Sequence, residues 1–284
     1  MAAAVMRAGS LGEALDLLAR YGDEGAPLAG GTWIMRDWQR GERRKQHYVA
    51  LQLLGELQTI MSGDRVSVGA LVTHEELARA LSLPATVALA EAARTSAFPA
   101  VRSVATVAGN ICAEPFPEAD LVPALLACEA EVEIAAADGR SHEPLPALLE
   151  RTPRLPAGAL IERVIVPAPA NRLSAYQRLT VRGGGEYPVA SVAVSVDLDG
   201  SGRVETARVA LGSVEERPRL SPAAAAALIG APLDVARGLQ AGEAAAAECE
   251  PRDGLDAPAW YRRAVVPVLV RDTVERLARQ SEDG

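Results

Sequence analysis

Two glycine-bearing segments, well separated along the chain, most constrain what this sequence can fold into. The first is Leu28-Ala29-Gly30-Gly31-Thr32-Trp33-Ile34, and the second is Thr106-Val107-Ala108-Gly109-Asn110-Ile111, followed at a short distance by Asp120. Because glycine has no Cβ, backbone amides at such positions can approach a bulky anion and point at it. One glycine pair alone often marks no more than a tight turn. Two such segments together favour a cofactor whose diphosphate is bound from two sides.

The composition predicts a soluble, globular chain. Hydrophobic residues make up 49% and charged residues 23% of the 284 residues, a balance that suits one large domain or two ordinary ones. The net charge of -8 provides no basic stripe that could neutralise phosphates, so we expect no nucleic-acid partner. No stretch reaches the roughly 18 consecutive apolar residues of a membrane span, and the N-terminus is unlike a secretory signal. We therefore expect a cytoplasmic protein that binds no membrane.

Cysteine and histidine usage argues against a metal site. The three cysteines and three histidines lack the spacing of a disulfide framework, of a zinc site and of a four-cysteine iron–sulfur site. They are Cys112, Cys128, Cys249, His47, His74 and His142. Cys112 lies beside the second glycine segment, but no basic neighbour in sequence would activate its thiol, so we interpret it as inert. We predict that this chain binds no metal ion.

Hydrophobic periodicity predicts an α+β fold. Capping-box spacing over Ser10–Glu13 precedes an apolar helical face, and a short strand over 26–29 leads into the first glycine segment. Further strands are predicted over 48–51, 65–70, 131–135 and 160–166, and further helices after Thr73, over 85–93 and after Asp120. The second glycine segment is expected to be a loop between two of these helices.

The order of predicted strands and helices changes after residue 170. The segment Pro167-Ala168-Pro169-Ala170-Asn171 is the best candidate for a linker. Beyond it, strands over 189–196 and 204–211 precede helices near 223–229, 235–247 and 260–278. Strands followed by helices are typical of an α+β domain with a layered sheet. We therefore predict two domains, residues 1–170 and residues 171–284.

Taken alone, each candidate site residue has an ordinary structural explanation. The first segment lacks both the Gly-x-Gly-x-x-Gly pattern of a Rossmann turn and the Lys-Ser/Thr ending of a nucleoside-triphosphate loop. Asn110 could hydrogen-bond its own loop backbone, and Asp120 could cap the helix that follows it. Arg178 could be a solvated arginine of a strand. A function can therefore be inferred only from the order and spacing of several motifs.

Six segments, taken in order, carry that information. They are 10–14, 28–32, 68–77, 101–111, 119–123 and 187–194. The most specific one reads Val101-Arg102-Ser103-Val104-Ala105-Thr106-Val107-Ala108-Gly109-Asn110-Ile111, followed by Ala119-Asp120-Leu121-Val122-Pro123. In this order and spacing they resemble the FAD-binding medium subunits of molybdenum hydroxylases, of the xanthine dehydrogenase and carbon monoxide dehydrogenase type. The resemblance covers nearly the whole chain.

The resemblance implies both a fold and a cofactor. The fold would be a two-lobed FAD-binding domain of the PCMH or vanillyl-alcohol-oxidase type, followed by a smaller α+β domain like the C-terminal domain of carbon monoxide dehydrogenase flavoproteins. Both glycine segments would surround the FAD diphosphate, since convergent amide donors suit a dianion without a metal or a lysine. The implied cofactor-binding residues are Ala29, Gly30, Gly31, Thr32, Trp33, Ile34, Thr106, Val107, Gly109, Asn110, Asp120, Ile161 and Arg178.

The resemblance also implies individual roles. Asp120 would accept hydrogen bonds from ribityl or ribose hydroxyls, and the backbone of Ile161 would meet the isoalloxazine edge. Arg178 aligns with a family lysine near the flavin, where a cation would stabilise negative charge on the reduced ring. Gln177 or Arg182 could occupy that place instead. No residue of the chain is expected to be catalytic.

Three features depart from the family pattern. Ala108 stands where a second glycine is common, and Trp33 stands where a small or acidic residue is usual. Trp33 would either shield the flavin or pack in the interior. The segment from Ala113 to Glu118 is slightly longer than its counterpart. These departures leave the surroundings of the flavin edge, and the electron acceptor, open.

The function that the resemblance implies is electron transfer within a multisubunit oxidoreductase. A large partner with a molybdenum cofactor would hydroxylate the substrate, a small partner with two 2Fe-2S clusters would relay electrons, and the FAD of this chain would pass them to NAD+ or another acceptor. The alternatives are a stand-alone FAD-dependent oxidoreductase with its own small organic substrate, and a flavin-binding module without turnover. Co-purification of the partner subunits would separate the first possibility from the other two. The substrate and the subunit stoichiometry are not encoded in this chain.

Overall fold

A small parallel sheet forms the first lobe and leads the chain into the first glycine segment. The computed structural model describes residues 3–41, 45–182 and 187–282. The lobe contains β1 (Ala4–Arg7), α1 (Leu11–Tyr21), β2 (Gly25–Leu28), α2 (Thr32–Arg40) and β3 (His47–Ala50). Its strands run parallel in the order β1-β3-β2. Because β2 ends at Leu28, the glycine pair lies at the carboxyl edge of the sheet, where parallel sheets commonly bind ligands.

Helix α1 forms where the sequence predicts it. Ser10 is the N-cap, and its Oγ accepts a hydrogen bond from the amide of Glu13 at 3.2 Å, which satisfies one of the free donors of the first turn. The apolar face buries Ala14 and Leu18 in a core that they share with Val49 of β3. The helix therefore covers the parallel sheet with one amphipathic face.

An antiparallel sheet and the helices packed against it form the second lobe. This lobe contains β4 (Ile60–Met61), β5 (Arg65–Gly69), α3 (His74–Ala80), α4 (Val87–Thr95), α5 (Pro99–Arg102), α6 (Val107–Cys112), α7 (Leu121–Ala127), β6 (Glu131–Ala136), β7 (Gly139–Pro144), α8 (Leu145–Leu149) and β8 (Leu160–Pro167). The strand order is β4-β5-β8-β6-β7. Thr73 is the N-cap of α3, the helix predicted after it, and it forms a capping box in which Glu76 accepts from the Thr73 amide at 2.8 Å. Every residue of α7 is buried, so this helix lies in the middle of the core.

A second antiparallel sheet forms the C-terminal part, together with three helices. It contains β9 (Arg172–Leu179), β10 (Ala190–Leu198), β11 (Val204–Gly212), β12 (Arg219–Leu220), α9 (Pro222–Leu228), α10 (Val235–Glu248) and α11 (Ala259–Glu282), with the strand order β12-β11-β10-β9. In β10, Val192 and Val194 belong to the core under α9, α10 and α11, whereas Ala193 belongs to the core of the second lobe. Strand β10 is thus buried on both faces, which explains why most of its residues are apolar.

The predicted α+β fold class is confirmed, although individual elements differ from the prediction. The second glycine segment is the helix α6 and not a loop, so that expectation was wrong. Strand β9 was not predicted, because two of its buried side chains, Arg172 and Ser174, are polar and hide the apolar pattern. The expected linker lies between the end of β8 at Pro167 and the start of β9. The division into residues 1–170 and 171–284 stays a prediction.

Within residues 3–41, 45–182 and 187–282, no helix combines the length and the apolarity that crossing a bilayer requires. The same residues bring together no three His, Cys, Asp or Glu side chains that could hold a metal ion. The three cysteines are free thiols.

Arg172 fastens the C-terminal sheet to the second lobe. Its guanidinium donates to Asp197 of β10 at 2.7 and 2.9 Å, and to Glu129, just beyond α7, at 2.6 Å. Burial alone would raise the pKa of Asp197, but hydrogen bonds from Arg172 and Thr206 outweigh burial, so this pKa is lowered. Arg172 is only 3% exposed. A buried cation therefore depends on two carboxylates for its neutralisation.

Replacing Asp197 with alanine should reduce the free energy of unfolding by about 3 kcal/mol, the low end for breaking a buried ion pair, because Glu129 still contacts Arg172. Glu205→Ala is the control, since it removes a carboxylate from an exposed position of β11 and should cost less than about 0.5 kcal/mol. Urea denaturation measures both values. Equal losses in the two variants would contradict the role of the ion pair.

The same ion pair should make unfolding depend on pH. The pKa of Asp197 is lower in the folded protein than its ordinary value of 3.8. Its stabilising contribution is therefore fully present above pH 3.8 and is lost as the pH falls through the folded-state pKa. Denaturation of wild type and Asp197→Ala over this acid range should show the difference between them shrinking toward low pH.

Candidate functional site

A cavity of about 680 Å³ lies between the two glycine segments. This volume is within the range of about 300–1,000 Å³ that is usual for ligand sites. All predicted site residues except Val107 and Arg178 line the cavity. Those that do are Ala29, Gly30, Gly31, Thr32, Trp33, Ile34, Thr106, Gly109, Asn110, Asp120 and Ile161. The fold thus brings residues from both lobes together around one space.

The first glycine segment presents the N-terminus of helix α2 to the cavity. Gly31 is the N-cap with a φ of +72°, a left-handed conformation that favours glycine. Within the described residues, the backbone amides from Gly30 to Ile34 donate to no acceptor of the protein, because the first turn of a helix has no preceding carbonyl groups. Such amides, together with the helix dipole, bind anions. This segment can therefore bind a diphosphate without a charged side chain.

Gly30 is required by the contact between the two lobes. A Cβ at this position would lie 1.8 Å from the carbonyl oxygen of Val104, so a larger residue cannot fit without moving the backbone. Val104 comes just before the N-cap of α6, and the contact therefore joins the two glycine segments beside the cavity. The need for glycine here is a packing requirement, separate from any ligand.

The second glycine segment has fewer free amides than the sequence suggests. Thr106 is the N-cap of α6, and its Oγ1 accepts from the amide of Gly109 at 3.1 Å. The amides of Val107 and Ala108 donate to carbonyl oxygens of the turn before α3, at 3.0 and 3.1 Å. These three amides are already satisfied, so this geometry does not support a second anion nest made of them. A helical backbone readily accepts a Cβ, which explains the alanine at position 108.

Asn110 fastens helix α6 to helix α7. Its Oδ1 accepts a hydrogen bond from the amide of Leu121 at 3.2 Å. The side chain therefore bonds to the next helix and not to its own backbone. Since Asn110 also lines the cavity, the group that it can offer to a ligand is the Nδ2 donor.

Asp120 precedes helix α7 but makes no side-chain capping bond to it. Its Oδ1 accepts from the Tyr176 hydroxyl at 2.6 Å, and its Oδ2 accepts from Nη1 of Arg178 at 3.3 Å. Burial raises the pKa of Asp120 to about 6, although Arg178 and Tyr176 act in the opposite direction. Asp120 is thus a buried carboxylate at the cavity wall, placed to accept hydrogen bonds from ligand hydroxyls. Sequence reasoning did not find Tyr176, because it is remote in the chain.

Arg178 reaches the site through Asp120. Its guanidinium pairs with Asp120 and donates to the backbone carbonyl of Thr95, and its side chain is 7% exposed. It is therefore not a solvated arginine of a strand. Gln177 and Arg182 are, like Arg178, outside the set of described residues that line the cavity. A cation of β9 beside the flavin ring stays a prediction.

An aromatic cluster with one arginine forms a wall that the sequence analysis missed. The Trp33 ring centroid is 4.5 Å from that of Phe116, which is 5.4 Å from that of Tyr187. Arg36 lies 4.7 and 5.0 Å from the centroids of Trp33 and Tyr187, and it donates to the Tyr187 hydroxyl at 2.8 Å. Trp33 therefore packs within the wall. The four residues come from three distant segments, so no local sequence signal connects them.

Two arginines anchor the segment from Ala113 to Glu118, which contains Phe116. The amide of Arg154 donates to Glu114 at 3.1 Å, and its Nε lies 3.5 Å from the same carboxylate. Arg252, from the C-terminal part of the chain, pairs with Glu118 at 2.5 Å. Both ends of the segment are thus anchored, and Phe116 between them lines the cavity. The departure from the family pattern produces a fixed wall.

Two titratable side chains of the lining are neutral near pH 7. Burial raises the pKa of the Cys112 thiol to about 12. Burial also lowers the pKa of His74 to about 4, and its Nδ1 lies 2.7 Å from Oγ of Ser96. Among the described lining residues, formal charge at neutral pH therefore comes from Arg36 and Asp120.

Comparison with known families identifies the class of protein. Residues 1–169 match the family model described as the FAD binding domain in molybdopterin dehydrogenase, and residues 174–277 match the model of the CO dehydrogenase flavoprotein C-terminal domain. The chain belongs to the family of FAD-binding domains of molybdopterin dehydrogenases, and its cofactor is FAD. The free amides of the first glycine segment and the buried Asp120 suit a ligand that carries both a diphosphate and hydroxyl groups.

Individual relatives span almost the whole chain. The carbon monoxide dehydrogenase medium chain of Afipia carboxidovorans is 28% identical over 280 residues, which is 96% of each chain. The glyceraldehyde dehydrogenase medium chain of Sulfolobus acidocaldarius is 27% identical and covers 96% of this chain and 97% of its own. A solved structure of carbon monoxide dehydrogenase from Hydrogenophaga pseudoflava superposes with a TM-score of 0.88 at 27% identity, over 99% of this chain and 98% of that one.

Replacing Gly31 with valine should remove most bound FAD, because the new side chain disfavours a φ of +72° and would turn the free amides away. Gly41→Val is a matched control, since Gly41 has a φ of +76° at the other end of α2 and an added Cβ would meet nothing within 4 Å. Both variants should lose stability on the order of 1–3 kcal/mol. Flavin absorbance after gel filtration should fall only in Gly31→Val. Full flavin content in that variant would show that the segment does not bind the diphosphate.

Replacing Asp120 with alanine should weaken FAD binding by about 1–3 kcal/mol, the range for removing a charged hydrogen-bond partner. Titration of the flavin-free protein with FAD measures the affinity. A fall in melting temperature with unchanged affinity would mean that Asp120 serves only the fold.

The pH dependence of wild type gives a second test of Asp120. Hydroxyl donors bind its ionised form best, so FAD affinity should fall as the pH drops through about 6. The stability of the flavin-free protein should change in the opposite direction and fall as the pH rises. Because folding raises this pKa from 3.8 to about 6, the contribution of Asp120 to stability is fully present below pH 3.8 and is lost as the pH rises through about 6. Both trends should be absent in Asp120→Ala.

Proposed function

We propose that this protein is the FAD-carrying electron-transfer subunit of a multisubunit molybdenum hydroxylase. In this proposal, a large partner holds the molybdenum cofactor, a small partner holds 2Fe-2S clusters, and electrons leave through FAD to NAD+ or another acceptor. The observation that carries the proposal is the run of free amides from Gly30 to Ile34 at the wall of a cavity that spans both lobes. The carbon monoxide and glyceraldehyde dehydrogenase relatives described above are both medium chains, which supports the same role.

The chain's own residues bind and orient the cofactor. The amides of the first glycine segment would hold the diphosphate, Asn110 would donate to it through Nδ2, and Asp120 would accept from the sugar or ribityl hydroxyls. Ile161, in β8, would meet the isoalloxazine edge with its backbone. When bound, FAD supplies the group that accepts and releases electrons. We assign residues 1–170 to this binding role and residues 171–284 to a separate C-terminal domain.

The surface around the cavity supports the docking of a partner. Phe98 and Tyr187 line the cavity and are 59% and 44% exposed, so the cavity opens beside apolar side chains. Exposed apolar patches commonly mark interaction sites. We assign this rim to the small iron–sulfur partner, because electrons from another chain must enter at an accessible edge of the cofactor.

The test compares the chain alone with the assembled complex. The isolated chain should hold FAD but oxidise neither aldehydes nor purines, and addition of the molybdenum and iron–sulfur subunits should restore turnover. The complex assembled with Gly31→Val is the control, since it should lose electron delivery to the acceptor while the molybdenum subunit stays loaded. Rapid substrate oxidation by the isolated chain would instead favour a stand-alone flavoenzyme. A stable complex whose turnover does not need this FAD would also contradict the proposal.

A further inference from the structure

Strand β9 reaches from the C-terminal part of the chain to the carboxylate of Asp120. Tyr176 and Arg178 are two residues apart on this strand, so their side chains leave the same face. The Tyr176 hydroxyl donates to one oxygen of Asp120 at 2.6 Å, and Arg178 donates to the other at 3.3 Å. Asp120 itself is 5% exposed and lines the cofactor cavity. The polar atoms that hold Asp120 therefore come from outside the FAD-binding lobes.

The backbone of Tyr176 is fixed by a second set of bonds between the same two parts of the chain. Its amide donates to Oε2 of Glu91, in helix α4, at 3.0 Å. Its carbonyl accepts from Nη1 of Arg276, in helix α11, at 2.9 Å, and Arg276 also pairs with Glu91. Glu91 is 9% exposed. Both the main chain and the hydroxyl of Tyr176 are thus positioned by charged groups, of which Glu91 and Asp120 are buried.

A buried carboxylate needs such partners. An ionised carboxylate taken out of water is strongly destabilised unless hydrogen bonds and an opposite charge compensate it. Each of its oxygens can accept two hydrogen bonds, so Tyr176 and Arg178 leave acceptor capacity for a ligand in the cavity. Glu118, the other charged group that acts on Asp120, has the same sign and opposes its ionisation. The two residues of β9 therefore determine both the charge and the orientation of Asp120.

We propose that Tyr176 and Arg178 are positioning residues for the cofactor, which hold Asp120 ionised and turned toward the FAD hydroxyls. This inference rests on the proposed role of Asp120 in FAD binding. It makes FAD affinity depend on the packing of β9 against α4. Because such coupling is reciprocal, bound FAD strengthens the contact between the C-terminal part and the FAD-binding lobes.

The experiment compares two hydroxyl groups on the same strand. Tyr176→Phe removes the hydrogen bond to Asp120. Ser174→Ala is the matched control, because Ser174 is also buried on β9 and hydrogen-bonds to the second lobe. Its hydroxyl donates to the carbonyl of Pro84 and accepts from the amide of Ala88, each at 3.0 Å. Ser174 is outside the set of described residues that line the cavity. FAD affinity is measured on the full-length chain, with any subunits that purify with it, over a pH series across the titration of Asp120.

Tyr176→Phe should raise the Kd for FAD about tenfold, the low end for losing a hydrogen bond to a charged group, and should move the midpoint of the pH profile to higher pH. Ser174→Ala should leave both values within about twofold of wild type, although its melting temperature falls. FAD should raise the melting temperature of Tyr176→Phe less than that of wild type. An unchanged pH midpoint in Tyr176→Phe, or the same shift in Ser174→Ala, would overturn the proposal.

If Tyr176→Phe does not fold, variants of Arg178 test the same proposal. Arg178→Met should weaken FAD binding and move the midpoint of the pH profile upward. In Arg178→Lys, which retains the positive charge, the midpoint should stay close to the wild-type value. Equal midpoints in Arg178→Met and wild type would contradict a positioning role. A wild-type protein that binds no FAD would instead overturn the cofactor site itself, so the two failures are distinguishable.

Discussion

The close approach of Gly30 to the carbonyl of Val104 is the contact on which the site depends. It joins the carboxyl edge of the parallel sheet in the first lobe to the turn that begins α6 in the second. Because backbone meets backbone there, a Cβ at 1.8 Å could not be accommodated by moving a flexible side chain. The contact fixes the distance between the N-terminus of α2 and the start of α6. The cavity and its lining by residues of both lobes follow from that distance.

The C-terminal part of the chain is joined to the second lobe by a shared hydrophobic core. Tyr176, Ala193 and Ala210 belong to the hydrophobic cluster of the second lobe, whereas Val192 and Val194 belong to the cluster under the C-terminal helices. A strand buried on both faces cannot separate from either layer without exposing apolar area. The bonds of Tyr176 and Arg178 to Asp120 therefore arise within a packed interface, where low exposure strengthens them.

What the sequence predicted, and what it missed, depends on how local each signal is. The glycine pair, the caps at Ser10 and Thr73 and the long apolar helices are encoded within a few adjacent residues, and all were found. Helix α6 was missed because six residues give too little periodicity to distinguish a helix from a loop. The partners of Asp120 and the cluster of Trp33, Phe116 and Tyr187 connect residues far apart in the chain, so only the fold brings them together.

Backbone amides and the guanidinium of Arg36 are cavity-lining groups that suit an anion. Lys45 is the only lysine of the chain. Three arginines near the site are occupied by carboxylates, since Arg154 pairs with Glu114, Arg252 with Glu118 and Arg178 with Asp120. These three arginines hold the cavity walls in place, and the helix N-terminus at Gly31 offers backbone donors of the kind that suit a diphosphate. Backbone amides do not titrate, so the proposed FAD site would owe its pH dependence to the buried carboxylate of Asp120 and to the strand that holds it.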